Sequence, residues 1–213
     1  MAQYPVMLDL SNQVCLVVGG GVVALRKVNG LLSAGAKVRL VAPEVIPDLK
    51  AYAESQAIEF LEKPYESSDL EGALLAISAT DDSSTNQCIA ADARAQGVLV
   101  NVVDQPYLCT FTVPATLSRG ELVISVATGG KSPALAAHIR VWLEERFGPE
   151  YASYIDFLGR TRQWVRDRFP DDPQKRHKAN YRIVKLNLVD HFAQGRESIA
   201  EEEAKQCISS LLD

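Results

Sequence analysis

The sequence predicts an α/β chain: a parallel sheet with helices on both faces, then a small β-hairpin and helix, then a helical region. Three observations carry that expectation. Short β-branched runs alternate with helix-spaced segments over roughly the first half of the chain. The first such run meets three glycines and then a helical period at once, in Val14 to Lys27, VCLVVGGGVVALRK. From Cys109 the pattern becomes an alternating hairpin, and after that it is helical.

The glycine stretch begins a Rossmann-like, dinucleotide-binding unit. Gly19 allows the tight turn, and Gly21 lets the backbone approach a pyrophosphate. Ala24, in the place of a third glycine, still lets the helix lie close to the strand. The helix N-terminus offers free N–H groups and a positive dipole end to phosphates. A GxGxxA string alone is a weak signal; the strand before it and the helix after it make it specific. The residues expected against NAD are Gly19, Gly20, Gly21, Val22 and Val23, with Pro43 and Glu44 after the second strand and Thr80 and Asp81 after the fourth. Glu44 is a ribose partner that lies late. Arg39, inside the second strand, reads as structural rather than as a 2′-phosphate site, so NAD is favoured over NADP.

The elements follow in order. Residues 5–10 are an extended lead-in, and Ser11-Asn12-Gln13 turn into a strand at Val14 to Val18. The first helix, Val22 to Ser33, carries Val23, Leu25, Val28, Leu31 and Leu32 at helical period and ends at Gly35. Lys37 to Val41 is the second strand. A helix lies within 44–56, its start limited by Pro47, and Ile58 to Leu61 is a short third strand. Leu74 to Ser78 is the fourth, followed by a helix from Ser83 to Ala95 that Asp82 caps. Val98 to Val103 is the fifth. The hairpin turns at Ser118-Arg119-Gly120. Ser132 as N-cap and Pro133 at the first helical position start a helix over residues 134–147. Tyr151 to about Phe169 is helical, with Tyr154, Ile155, Phe157, Leu158, Trp164 and Val165 on its apolar face. Pro170 and Pro173 break it. A further helix covers Gln174 to Phe192, and Gly195 separates it from a last helix. There Ser198 and Glu201 suit a capping box, and Ile199, Ala204, Cys207, Ile208 and Leu211 form the stripe. The domains expected are residues 1–112, 113–148 and 149–213.

Composition narrows the function classes. With 213 residues, 47% hydrophobic and 23% charged, the chain can bury a core without staples. A net charge of −5 gives no general attraction to nucleic acid or anionic lipid. No apolar run spans a bilayer and no export signal is visible at the N-terminus, so a cytoplasmic protein is expected. Cys15, Cys88, Cys109 and Cys207 match no zinc spacing and read as reduced, mostly buried thiols; His138, His177 and His191 are scattered. No resident metal is expected.

In the order VVGGGVVALRK, GAKVRLVAP, ATDDSSTN, NVVDQPYLCTF and GGKSPALA, the chain resembles the precorrin-2 dehydrogenase family, which includes the dehydrogenase/ferrochelatase module of siroheme synthases. The match runs to about Phe147, and the NVVD strand end followed by GGKSP is its distinctive part. The resemblance implies oxidation of precorrin-2 to sirohydrochlorin with NAD as hydride acceptor. In many members it also implies insertion of ferrous iron, as a substrate, to make siroheme. It further implies a homodimer.

Such an oxidation needs a hydride acceptor and a group to take a proton. Asp104 follows the fifth strand at the cofactor-facing edge, where a carboxylate accepts a proton or guides iron, and it matches the aspartate thought to act in the family. The competing reading is a solvated turn aspartate. Thr128, Gly129, Lys131 and Ser132 combine backbone N–H groups, a lysine, hydroxyls and a helix start, and suit a carboxylate-rich tetrapyrrole. A plain helix cap with a surface lysine explains the same residues. Arg26 and Lys27, one turn into the first helix, are either partners for substrate carboxylates or a solvated face, the more usual role of charges on a helix. A reading from a different class is a nucleotide-sensing regulatory module that binds NAD without catalysis.

Overall fold

The computed structural model of the chain describes residues 3–210. It forms two compact units, the first ending at Val113 and the second beginning at Pro114.

In the first unit β1 (Val14–Val18), β2 (Lys37–Val41), β3 (Glu59–Leu61), β4 (Ala73–Ser78) and β5 (Leu99–Val102) make one parallel sheet, ordered β3-β2-β1-β4-β5. Helices α1 (Val22–Ser33), α2 (Pro47–Glu54) and α3 (Ser83–Gln96) connect the strands. Alternation along β1 divides the core. Cys15 and Val17 pack with Ala24, Val28 and Leu31 of α1 and Leu49 of α2, whereas Leu16 and Val18 pack with Ile89, Ala90 and Ala93 of α3. Both faces are covered, which is why the strand reads as an unbroken apolar run. Each Leu or Val so buried contributes about 1.5–3 kcal/mol. Arg39 is structural, as expected: it pairs with Glu59 at 2.9 Å and donates to the carbonyls of Asp69 and Glu71.

The strands end in register. Val18 lies opposite Val41 on one side and Ser78 on the other, and Ser78 lies opposite Val102. The loops after β1, β2, β4 and β5 therefore open at one rim. The sheet runs from β1 outward in both directions, to β2 and to β4, the reversal of strand order beyond whose carboxyl ends open α/β sheets bind ligands.

Two glycines hold this rim closed. Gly19 has φ 126°, and a Cβ there would lie 2.4 Å from the Ala79 carbonyl oxygen. A Cβ at Gly20 would lie 1.8 Å from the Glu44 carbonyl oxygen. Backbone bonds lock the approach: Gly19 N–H donates to Val41 (3.0 Å), Ile46 N–H to Gly20 (2.9 Å) and Ala79 N–H to Val18 (2.8 Å).

The second unit begins with the antiparallel pair β6 (Ala115–Arg119) and β7 (Leu122–Val126), against which α4 (Pro133–Arg146) packs. Arg119 and Leu122 are paired, so the turn is Gly120-Glu121 rather than Ser118-Arg119-Gly120; Gly120, with φ 56°, takes the position that needs a positive φ. Four helices follow: α5 (Glu150–Arg168), α6 (Pro173–Lys185), α7 (Val189–Ala193) and α8 (Glu197–Ser209). Phe157 is their centre, with ring centroids 5.2 Å from Phe192, 6.3 Å from Tyr154 and 6.3 Å from Trp164. The segments expected at 113–148 and 149–213 lie within this one unit, where α5 touches both hairpin strands.

Several local expectations are corrected here. The helix expected over Gln174 to Phe192 is two helices, because Asn187 takes the left-handed conformation (φ 52°) between α6 and α7. Pro173 starts α6 instead of breaking a helix, and Asp172 caps it. Ser198 is inside α8, whose N-cap is Arg196 with no side-chain bond, so there is no capping box. Ala200, Ala204 and Ile208 form the buried stripe, whereas Ile199 is 40% exposed; Leu211 lies outside the described residues. Of the four free cysteines only Cys15 is buried, which pushes its thiol up to about 11.

Replacing Gly20 by Ala is expected to cost about 1–3 kcal/mol, because the methyl meets backbone rather than a movable side chain. Urea unfolding measures this, and an unchanged midpoint would contradict the close approach. Asp82 caps α3, accepting from Ser84 N–H and Thr85 N–H, and bonds to the Thr85 and Ser84 hydroxyls hold its carboxyl down to about 2. Its contribution is complete above the ordinary value of 3.8 and is lost as pH falls through about 2. The melting-temperature gap between the native chain and Asp82→Ala is therefore expected to narrow from pH 6 to pH 2; a constant gap refutes the charge dependence.

Candidate functional site

Gly21 is the glycine that faces outward. It is the N-cap of α1, and a Cβ placed there meets nothing within 4 Å. Leu25 N–H donates back to Gly21, so the N–H groups of Val22, Val23 and Ala24 precede the first intrahelical bond. No side chain caps this end and no acidic residue occupies the first turn. The result is an uncompensated positive helix end beside open space, which is the chemistry a pyrophosphate requires. Val22 is 65% exposed next to it.

Pro43 and Glu44 form the neighbouring loop and are both exposed. The Glu44 backbone carbonyl is the group packed against Gly20, so this residue shapes the turn through its main chain as well as presenting a carboxylate at the rim. Thr80 and Asp81 lie on the other side of the turn. The Thr80 hydroxyl accepts from Asp82 N–H at 3.2 Å, and the Thr80 carbonyl accepts from the Asn86 side-chain amide at 3.1 Å. Asp81 is exposed. Asn86, buried with Ser78 and bonded to its hydroxyl, braces the end of β4 against α3. Asn86 closes the ATDDSSTN string and is not marked out there. An unbroken polar run gives no sign of which member turns inward.

Asp104 follows β5 at the same rim. Val18, Ser78 and Val102 are mutually in register. At about 4.8 Å between strands, the ends of β1 and β5 lie roughly 10 Å apart with β4 between them. The structure thus brings Asp104 to the edge that holds the glycine turn. Its side chain is exposed and its backbone is left-handed (φ 60°), a conformation that aspartate tolerates better than most residues. Lys27 corrects the expectation of a solvated face: it is partly buried. Burial and Arg26 push its amine down, and the nearby Asp104 and Cys109 act in the opposite sense. A lysine in the second turn of a helix looks like surface in one dimension, whereas the fold brings Asp104 and Cys109 near it.

In the second unit residues 128–132 close on themselves. The Thr128 hydroxyl accepts from Ser132 N–H (3.1 Å), and the Thr128 carbonyl accepts from Lys131 N–H (3.1 Å). The Ser132 hydroxyl accepts from Leu135 N–H (3.2 Å) as the α4 cap. Both hydroxyls therefore have structural partners. Gly129 and Gly130 are exposed, with φ 61° and 78°, and Lys131 is exposed beside them. Among the described residues no three His, Cys, Asp or Glu side chains gather to hold a metal.

Comparison with known proteins adds the following. Siroheme synthase of Chromobacterium violaceum is 40% identical over 211 residues, covering 99% of this chain and 44% of that protein. Siroheme synthase of Thioalkalivibrio sulfidiphilus is 36% identical over 210 residues, 99% of this chain and 43% of that protein. The chain thus spans somewhat under half the length of these relatives. A solved structure titled "SirC, precorrin-2 dehydrogenase" matches with a TM-score of 0.73 and 28% identity, covering 92% of this chain and all of that one. The family model NAD_binding_7, described as "Putative NAD(P)-binding", matches residues 6–115, the same stretch that carries the sheet, the glycine turn and Asp104. The chain belongs to this NAD(P)-binding family.

Proposed function

We propose that the chain is an NAD-dependent dehydrogenase that oxidises precorrin-2 to sirohydrochlorin in siroheme synthesis. The observation that carries this reading is the shared rim: an open, uncapped α1 N-terminus and an exposed carboxylate, Asp104, stand on either side of β4. The likeness to siroheme synthases over nearly the whole chain and to a precorrin-2 dehydrogenase structure supports the substrate.

The residues present fit a dinucleotide. Gly21 leaves room beside the free N–H groups of Val22 and Val23, and the Gly19–Gly20 backbone is rigidly held. Glu44 stands at the ribose side, with Pro43 shaping its loop, and Thr80 and Asp81 face the crevice from β4. NAD, when bound, supplies the hydride acceptor. The protein's share is to orient the macrocycle and to take the proton released as its two hydrogens leave. Asp104 does this by accepting the proton on its carboxylate. Lys131, with the Gly129 and Gly130 amides and the hydroxyl-braced loop of Thr128 and Ser132, meets substrate carboxylates.

Ferrous iron is the substrate of a second reading, insertion into sirohydrochlorin, in which Asp104 takes pyrrole protons; the relatives' names favour it. A nucleotide sensor without chemistry finds no support in these relatives. A homodimer is supported by α4, where Ala136 is the one buried residue and Leu135, Val141 and Trp142 are about half exposed. No helix among the described residues is long and apolar enough to cross a membrane. The cytoplasmic setting belongs to the same proposal.

The test is anaerobic: precorrin-2 with NAD, then sirohydrochlorin with Fe²⁺, each followed by absorbance. Asp104→Ala is expected to fold, to bind NAD within about twofold of the native chain, and to lose about 10²–10⁴ in dehydrogenase kcat. Near-native turnover in a folded variant removes Asp104 from the mechanism. Lys131→Glu is expected to raise the tetrapyrrole KM about tenfold through charge reversal, with NAD affinity unaltered. Equal losses for both ligands count against a substrate-side lysine.

A further inference from the structure

β5 is the outer strand of its sheet, so one edge of its backbone has no strand partner. Side chains of the following segment close that edge. Val100 N–H donates to the Thr110 hydroxyl at 2.7 Å, and Val102 N–H donates to the Cys109 sulfur at 3.2 Å. The thiol also reaches the carbonyls of Val102 (3.3 Å) and Gln105 (3.5 Å), while the Asn101 amide donates to it at 3.6 Å. One sulfur therefore bonds the residues on both sides of Asp104. The turn it spans is the one in which Asp104 is left-handed.

We propose that Cys109 is a positioning residue: its thiol ties Val102 to Gln105 and so fixes the direction of the Asp104 carboxylate at the rim. The inference rests on the role proposed above for Asp104. A thiol suits the task because it donates and accepts at once, at distances longer than a hydroxyl spans. The rest of the loop is pinned separately: Gln105 N–H donates to Val102 (3.3 Å), Leu108 N–H to Gln105 (3.0 Å), and Arg94 to the Leu108 carbonyl (2.9 Å). Loss of the sulfur contacts therefore leaves a folded loop with a less constrained tip.

The test compares Cys109→Val, which keeps volume and removes both bonding functions, with Cys109→Ser, Thr110→Val and Asp104→Asn, all in the full chain. Cys109→Val is expected to lower dehydrogenase kcat about 10–100-fold, the scale of a misdirected catalytic group, with KM for NAD within twofold. Cys109→Ser, which keeps a donor and an acceptor but on a shorter reach, is expected to recover only part of that loss. Amide hydrogen exchange at Val102 is expected to speed up in Cys109→Val and not in Thr110→Val, which breaks the neighbouring bond at Val100 and leaves kcat near native. A Cys109→Val chain with kcat within twofold of native and unaltered exchange at Val102 overturns the inference, as does an equal kcat loss in Thr110→Val, which marks general edge packing. Full turnover in Asp104→Asn overturns the role of Asp104 instead, and exchange at Val102 then decides for or against the hold of the thiol on the turn.

Discussion

Gly20 lies so close to the Glu44 carbonyl that no side chain fits between them. Most of the candidate site depends on that contact. It draws the β2–α2 loop onto the glycine turn, while Gly19 does the same for the β4–α3 loop through Ala79. With three loops locked together, the first turn of α1 is held in one direction, and its free N–H groups stand beside open space at the rim. A looser rim would leave the same groups to water, where their dipole is screened and their order is lost. The buried faces of the sheet serve this rim as well. In-register strand ends place four loops at one edge, which no local sequence feature does alone.

The outer strand meets a different constraint. An open edge invites pairing with another chain, and β5 runs out into an exposed carboxylate, Asp104. Folding the segment after Asp104 back along β5 closes that edge. Thr110 and Cys109 satisfy the outward N–H groups of Val100 and Val102, and Asn101 donates to the Phe111 carbonyl at 3.0 Å. The left-handed backbone at Asp104 costs about 1–2 kcal/mol for an ordinary residue and less for aspartate. Each of the surrounding bonds contributes about 0.5–1.5 kcal/mol net, enough together to hold the turn.

Most of the first unit was legible from sequence because its signals are local and agree with one another. An apolar run, a glycine and a helical period each mark β1 and α1, and the bounds Val14–Val18 and Val22–Ser33 are the ones expected. The helical tail was legible only in outline. Asn187 interrupts a continuous amphipathic pattern through its own backbone conformation, and asparagine in a helical stretch carries no such sign. Ser198 shows the converse: a cap-competent residue two positions past the N-cap Arg196, inside α8 rather than before it. At the rim, the positions of Asp104 and the glycines were legible from the strand ends. Lys27, Asn86 and Cys109 were not, because each acts through a neighbour distant in sequence. Lys27 lies near Asp104 and Cys109, Asn86 is bonded to Ser78, and Cys109 bonds to a strand that precedes it.

The formal charge of −5 gives little sense of how such a chain favours anionic ligands. Net charge counts titrating side chains, whereas the α1 terminus contributes roughly half an elementary charge through aligned peptide dipoles. That charge sits where the Gly19–Gly20 contacts put it and does not titrate. Lys27 is partly buried; burial and Arg26 push its amine down, against the opposing pull of Asp104 and Cys109. A rim built from a fixed dipole and a shielded lysine keeps its positive field local, while the acidic surface elsewhere repels nucleic acid and other polyanions. Geometry then decides at the rim, because the dipole's field is strong only within the first turn of α1.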